Sequence, residues 1–320
     1  MVEKLKESGV ETFQIKMSSP FDIKAIWQLS KLCKRLDIDI IHTQFLRENY
    51  IAVLSRLFNR KVRVVYTNHF VIPNNTIQKV FNKILTRFDS NIIAVCNKGK
   101  EMLIANGNDP SKIKVIFNGI DTAYWGEPCE STIRKEFGIR KDEFVMTCAS
   151  RFAHDKGHEF LIESLDLLRN TLGKSFKFIL AGDGPLLESI KNKAAELNLD
   201  DVVIFAGFRE DMKNIFYGSD LYVNSSQHEA LSFLIIEALA AGLPVIATDM
   251  GGNSDIINSE TNCGMLVEYG NAKQMAEAIA GVMDNPSLRQ TLSENALRTV
   301  KERFNLDKVA EDTYNLYMSI

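Results

Sequence analysis

Short apolar runs alternate with longer amphipathic stretches along almost the whole chain. In the first half the runs fall at residues 12–17, 39–43, 63–67, 91–96 and 114–118. In the second half they fall at 144–149, 176–181, 202–206, 221–224, 245–248 and 264–267. Between them lie segments of helical period, such as 21–36, where Ile23, Ile26, Leu29, Leu32, Cys33 and Leu36 share one face. Strands separated by helices are the pattern of parallel βα units. Residues 121–141 interrupt the alternation with Gly, Pro and charge, and are read as a connection containing a short helix. The fold class expected is α/β, with two doubly wound sheets and ligands at the carboxyl ends of the strands.

Composition narrows the picture. A chain of 320 residues can hold two such domains. No apolar run approaches the length of a membrane span. The opening MVEKLKESGV is charged and lacks the apolar core of a signal peptide. Five scattered cysteines (Cys33, Cys96, Cys129, Cys148, Cys263) form no CxxC pair, so neither a disulfide framework nor a zinc site is indicated. A reducing, cytoplasmic setting is expected. Residues 1–125 hold 19 Lys and Arg against 11 Asp and Glu, a net of +8, while the remainder carries −11. The basic first half fits either an anionic partner, through peripheral contact at the inner face of a membrane or a phosphate-bearing acceptor, or simply a solvated surface. No nucleic-acid module is present, and none is expected as a partner.

The densest chemistry lies in HEALSFLIIEALAAGLPVIATDMGG, where Glu229 and Glu237 are separated by seven residues. A polar loop leads into a helix expected over about 231–241, and helix N-termini with unpaired N–H groups bind anions. Glu229 is placed at its mouth and Glu237 two turns inside, about 80° apart around the axis. Burial of the helix accounts for the apolar residues but leaves Glu237, a carboxylate in an almost wholly apolar stretch, for a site role. Amides for a diphosphate beside carboxylates for sugar hydroxyls would suit a nucleotide-sugar. Two cations, Arg151 and Lys156, follow the strand at 144–149. There they can stabilise charge building on a leaving diphosphate, and Gly157 lets the next helix start in close contact. The Gly182-Asp183-Gly184-Pro185 turn is read as mainly structural, with Pro at the first helical position.

These motifs together resemble the retaining glycosyltransferases of family 4, which have the GT-B fold. The resemblance runs from about Val10 to the C-terminus. Residues 151–157 resemble the family's R-x4-KG clamp, 182–185 its GDGP motif, and 118–121 (Asn-Gly-Ile-Asp) its NGID turn. His42-Thr43-Gln44 resembles its HxH segment with Gln44 in place of the second His, and Asp255 stands where Glu is usual. The resemblance implies two Rossmann-like domains facing across a cleft. Residues 1–123 would form an incomplete acceptor-side domain, 124–304 the nucleotide-sugar domain, and 305–320 a helix crossing back to the first. It implies Arg151, Lys156, Glu229 and His69 as catalytic residues. Glu237 would hold the ribose, Gly184 and Phe208 would lie on the donor, and the amides of Leu231, Ser232 and Phe233 would cap phosphate.

The implied reaction moves a sugar from a nucleotide-diphosphate donor to a hydroxyl acceptor with retention, in polysaccharide or glycoconjugate synthesis. The acceptor would be a glycan, a lipid-linked or a small molecule. No cofactor or metal is expected, since no DxD-type motif stands in a convincing place. Roughly 60 residues carrying a first strand and glycine-rich loop are expected ahead of this chain, an estimate from ordinary βα-unit lengths. Their absence would leave 39–43 as an open edge. A non-catalytic nucleotide-binding homologue and a nucleotide-sugar epimerase are the rival readings.

Overall fold

A computed structural model describes residues 2–320. They divide into two compact units. Among the described residues, the first comprises those up to 94, 100–115 and 316–320; the second comprises 95–99 and 116–315.

The first unit is built on a four-stranded parallel sheet of β1 (Ile40–Thr43), β2 (Arg63–Asn68), β3 (Asn91–Ala94) and β4 (Ile113–Val115), in that spatial order. β1 is an edge strand, as anticipated for 39–43. Val64, Val65, Ile92 and Ala94 are fully buried, as β-branched and small residues covered on both faces should be. The helix Ile23–Arg35 starts at Asp22, whose carboxylate accepts from the Ala25 N–H, and it buries Ala25, Ile26 and Cys33. Residues 12–17 form no strand, although their alternation predicted one. A strand exists only through a ladder, and no described strand pairs with this segment. Ile15 and Met17 instead pack against Ala25, Ile26 and Ile51.

The second unit holds β5 (Val145–Ala149), β6 (Lys177–Ala181), β7 (Val203–Gly207), β8 (Leu221–Asn224), β9 (Val245–Thr248) and β10 (Gly264–Val267). All pair in parallel, in the order β10-β9-β8-β5-β6-β7. The chain steps outward from β5 to β7, then returns to lay β8 on the other side of β5. That reversal is a topological switch point, and in such sheets ligand sites form at the carboxyl ends of the strands there. Phe152, Phe176, Phe178 and Leu161 fill the core on one face of the sheet. The connection 121–141 contains two short helices, Thr122–Gly126 and Ile133–Glu136. Asp121 is the N-cap of the first, accepting from the Tyr124 N–H at 2.9 Å.

Candidate functional site

The switch point assembles the site from two loops, one after β5 and one after β8. The β5 loop carries Arg151 and Lys156, and the β8 loop carries Glu229. Lys156 Nζ donates to Glu229 Oε1 at 2.9 Å, and Ser226 Oγ donates to the same oxygen at 2.9 Å. Glu229 Oε2 has no protein donor among the described residues. Both side chains of the pair are largely buried. Arg151 is exposed, 3.7 Å from Asp155, which also lies 3.9 Å from Lys156.

The loops are locked together by backbone contacts. The Gln227 N–H donates to the Asp155 carbonyl at 2.8 Å, and Ser225 Oγ donates to the Lys156 carbonyl at 2.9 Å. Gly157 has φ +65°, and a Cβ there would lie 2.1 Å from the Ser225 carbonyl oxygen. Only glycine allows both the backbone turn and the approach of the two loops. Gly251 does the same for the far side of the β8 loop, since its Cβ would lie 1.7 Å from the Glu229 carbonyl oxygen. His158, which sequence reasoning passed over, braces the β5 loop from beneath. Its ring stacks on Phe152 at 4.2 Å between centroids, and Nε2 meets Ser150 Oγ at 3.0 Å. Burial holds this imidazole down at about 4, so it is neutral.

The β8 loop ends at the helix Phe233–Ala240, later than the predicted start near 231. Ser232 is its N-cap, its Oγ accepting from the Ile235 N–H at 3.4 Å. Glu229 therefore stands in the loop, not on the helix, and the 80° relation between Glu229 and Glu237 does not apply. Glu237 sits one turn inside, not two. The Phe233 and Leu234 N–H groups have no intrahelical acceptor, because the helix's first backbone bond runs from Ile236 to Ser232. Leu231 is buried just ahead of them. The Glu237 carboxyl is half-buried with no hydrogen-bond partner among the described residues, and burial raises it from 4.5 to about 7.

A cavity of about 420 Å³ opens beside the carboxyl ends of β5 and β6. Arg151, Gly182, Phe208, Arg209, Met212 and Leu234 line it. Phe208 stands exposed on its wall. Arg209, another residue not singled out from sequence, is held by Glu136 and by Asp211 at 2.7 Å. Gly184 is packed against the Phe152 backbone, with a Cβ position 2.5 Å from the Phe152 carbonyl oxygen. Pro185 lies in a turn two residues before the helix Leu187–Glu196, not at its first position. Asp255 accepts from the Asn97 N–H at 2.7 Å and from Asn97 Nδ2 at 2.5 Å, so the shorter acid has a structural task.

His69 belongs to the first unit. Its Nε2 meets Gln44 Oε1 at 2.8 Å, so the residue standing in for a second His fixes the ring. His42 is tied in the same unit to Thr67 Oγ1 at 2.6 Å and to the Tyr317 hydroxyl. Burial lowers both imidazoles from their ordinary value. Among the described residues no cluster of three or more His, Cys, Asp or Glu is arranged to hold a metal ion.

Two parallel-sheet α/β units give the chain the GT-B fold. Residues 130–299 match the family described as glycosyl transferases group 1, and residues 4–124 match glycosyltransferase family 4. The chain belongs to the group 1 glycosyl transferases. A galactosyltransferase from Escherichia coli, named for transfer from UDP-Gal to α-D-GlcNAc-diphosphoundecaprenol, is 27% identical over 311 residues, covering 93% of this chain and 80% of its own length. A glycosyltransferase structure from Rickettsia africae has a TM-score of 0.89 at 23% identity, over 99% of this chain and 87% of that one. The Anabaena HepE protein in complex with UDP has a TM-score of 0.87 at 22% identity, over 100% of this chain and 89% of that one.

Proposed function

We propose that this chain transfers a glycosyl group from a nucleoside-diphosphate sugar to a hydroxyl acceptor with retention at the anomeric carbon. The observation that carries the reading is the loop 150–157. It places Arg151 on the wall of the cavity and Lys156 on Glu229. The base enters the cavity against Gly182 and Phe208. Glu237, an acceptor with no protein partner, takes the ribose hydroxyls. The diphosphate meets the free N–H groups of Phe233 and Leu234 and the two cations. Glu229 turns its open Oε2 to a hydroxyl of the donor sugar.

The chemistry follows from that placement. The bond from the anomeric carbon to the diphosphate oxygen breaks, and negative charge grows on the leaving group. Fixed cations stabilise that charge more than they stabilise the ground state. The departing oxygen takes the proton of the acceptor hydroxyl, which attacks from the same face and retains the configuration. The acceptor is a glycan, lipid-linked or small-molecule hydroxyl in polysaccharide or glycoconjugate synthesis. The E. coli relative is named for a UDP-sugar and HepE is complexed with UDP, so UDP is the first nucleotide to test.

Thermal unfolding with UDP, GDP and ADP checks the donor site. A nucleotide at 100 times its dissociation constant adds about 2.7 kcal/mol. The expected result is a rise with one base that weakens about tenfold in concentration dependence in Arg151→Ala, as for loss of one charge-assisted contact. A cooperative transition unmoved by any of the three nucleotides sinks the reading.

A further inference from the structure

The helix Thr76–Leu85 of the first unit, with the turn Thr86–Phe88 that follows it, has two apolar faces. One is inward: Leu85 is buried, and Phe81 lies 4.8 Å from the Phe21 ring. The other is outward. Ile77 is 69% exposed, Val80 55%, Ile84 54% and Phe88 55%. Spacings of three and four put these side chains in one stripe along the surface. An exposed helix face ordinarily carries charged residues, and single exposed apolar residues need no explanation, but a continuous stripe does.

The charges carried by this segment are all of one sign, and Asp109 is a carboxyl within electrostatic reach of Arg87. Residues 76–88 (TIQKVFNKILTRF) contain Lys79, Lys83 and Arg87 and no acidic residue. Lys83 and Arg87 are exposed and four residues apart, forming a cationic ridge alongside the stripe. The next carboxyl, Asp89, is buried and bonded to Asn49, so it does not neutralise that ridge. The Phe88 carbonyl accepts from Arg56, a further cation at the end of the helix.

We propose that this face docks on an anionic lipid surface. Ile77, Val80, Ile84 and Phe88 enter the boundary between headgroups and acyl chains, and Lys83 and Arg87 lie over lipid phosphates. An apolar face flanked by cations is the pattern of helices that lie in a membrane interface. The charge asymmetry argues for lipid rather than a second copy, because two such faces would bring like charges together. Among the described residues no helix is long and apolar enough to cross a membrane, and the proposed contact is peripheral.

The test is co-sedimentation of the full chain with phosphatidylcholine vesicles, with and without phosphatidylglycerol. Binding is expected to the anionic vesicles and to fall about tenfold or more on neutral vesicles or in high salt, where the charge contribution is screened. The pairs Ile77→Ser/Ile84→Ser and Lys83→Glu/Arg87→Glu are each expected to lower binding by about tenfold or more. Both pairs are at the surface, so the melting temperature and the UDP response stay as in the parent. Absence of binding to anionic vesicles overturns the proposal. So does binding that neither pair weakens, or self-association abolished by the Ile pair without any vesicle binding. A parent that binds vesicles but ignores nucleotides would refute the donor reading and leave this one standing.

Discussion

Glu237→Gln separates stability from function in a single substitution. The carboxyl is raised from 4.5 to about 7 by burial. A raised acid means that the folded state holds its proton more tightly than the unfolded state. Below pH 4.5 both states are protonated and nothing is lost. Between pH 4.5 and about 7 the unfolded chain ionises first, so stability falls as pH rises, and above about 7 the full cost is present. At about 1.4 kcal/mol per pH unit the shift corresponds to roughly 3 kcal/mol. Solvent reaching a half-buried carboxylate reduces that to about 1–2 kcal/mol. Glutamine keeps the shape and discards the cost. Thermal melts of parent and variant at pH 8 are therefore expected to differ by about 4 °C in favour of the variant. The gap narrows below pH 6 and is nearly closed at pH 4. Nucleotide binding moves the other way. Ribose hydroxyls donate to the ionised carboxylate, so parent affinity weakens as pH drops below about 7, while the variant is weaker by about tenfold at pH 8 and flat with pH. A variant no more stable than the parent at pH 8, or one that binds nucleotide as tightly, refutes the reasoning.

Lys156→Ala leaves Glu229 largely buried with only Ser226 as donor, and is expected to cost about 2 kcal/mol of stability. In a double-mutant cycle with Glu229→Ala, denaturant unfolding should show a coupling of about 1 kcal/mol or more, and additive losses would mean the pair is incidental. The same Lys156 variant should lose about a hundredfold or more in kcat, read by donor turnover, since the cation acts on charge that grows during the reaction. Gly157→Ala places a methyl 2.1 Å from the Ser225 carbonyl oxygen at φ +65°, so the chemical-denaturation midpoint should drop by the equivalent of about 3 kcal/mol or more. Asp89 is pushed up to about 8 by burial and has one oxygen without a partner. Asp89→Asn should be close to neutral at pH 4, and its stability relative to the parent should grow from there up to about pH 8, measured by thermal melts, because the unfolded carboxyl ionises first and the buried carboxyl's cost grows as pH rises through that range.

The second unit was legible because its strands announce themselves. Val245–Thr248 and Leu221–Asn224 are buried along their whole length, and such strands read as continuous apolar runs. Residues 12–17 alternate as a strand should, but alternation states only that one face is apolar. Whether a ladder forms depends on a neighbour, which is a non-local fact. The β8 loop was misread locally for a different reason. Glu, Ala and Leu at 229–231 have high helix propensity, and the signal that the helix starts later was Ser232, a good N-cap four residues ahead of Ile236.

The pairing inside the site lay beyond any local signal. Lys156 and Glu229 are 73 residues apart, and each was identified from its own loop. What joins them is the return of the chain to β5 after β7, which sets the register Met146 to Leu221 and Thr147 to Tyr222 and so brings the two loops side by side. Ser226 and the Asp155 carbonyl become functional supports only through that adjacency, since neither residue type marks itself out in a polar loop. The glycines make the adjacency possible: a side chain at Gly157 or Gly251 would push the β5 loop from Ser225 or the Gly251 turn from Glu229. The chemistry of the site is thus carried by a handful of charged residues, but its geometry is carried by strand order and by the absence of two Cβ atoms.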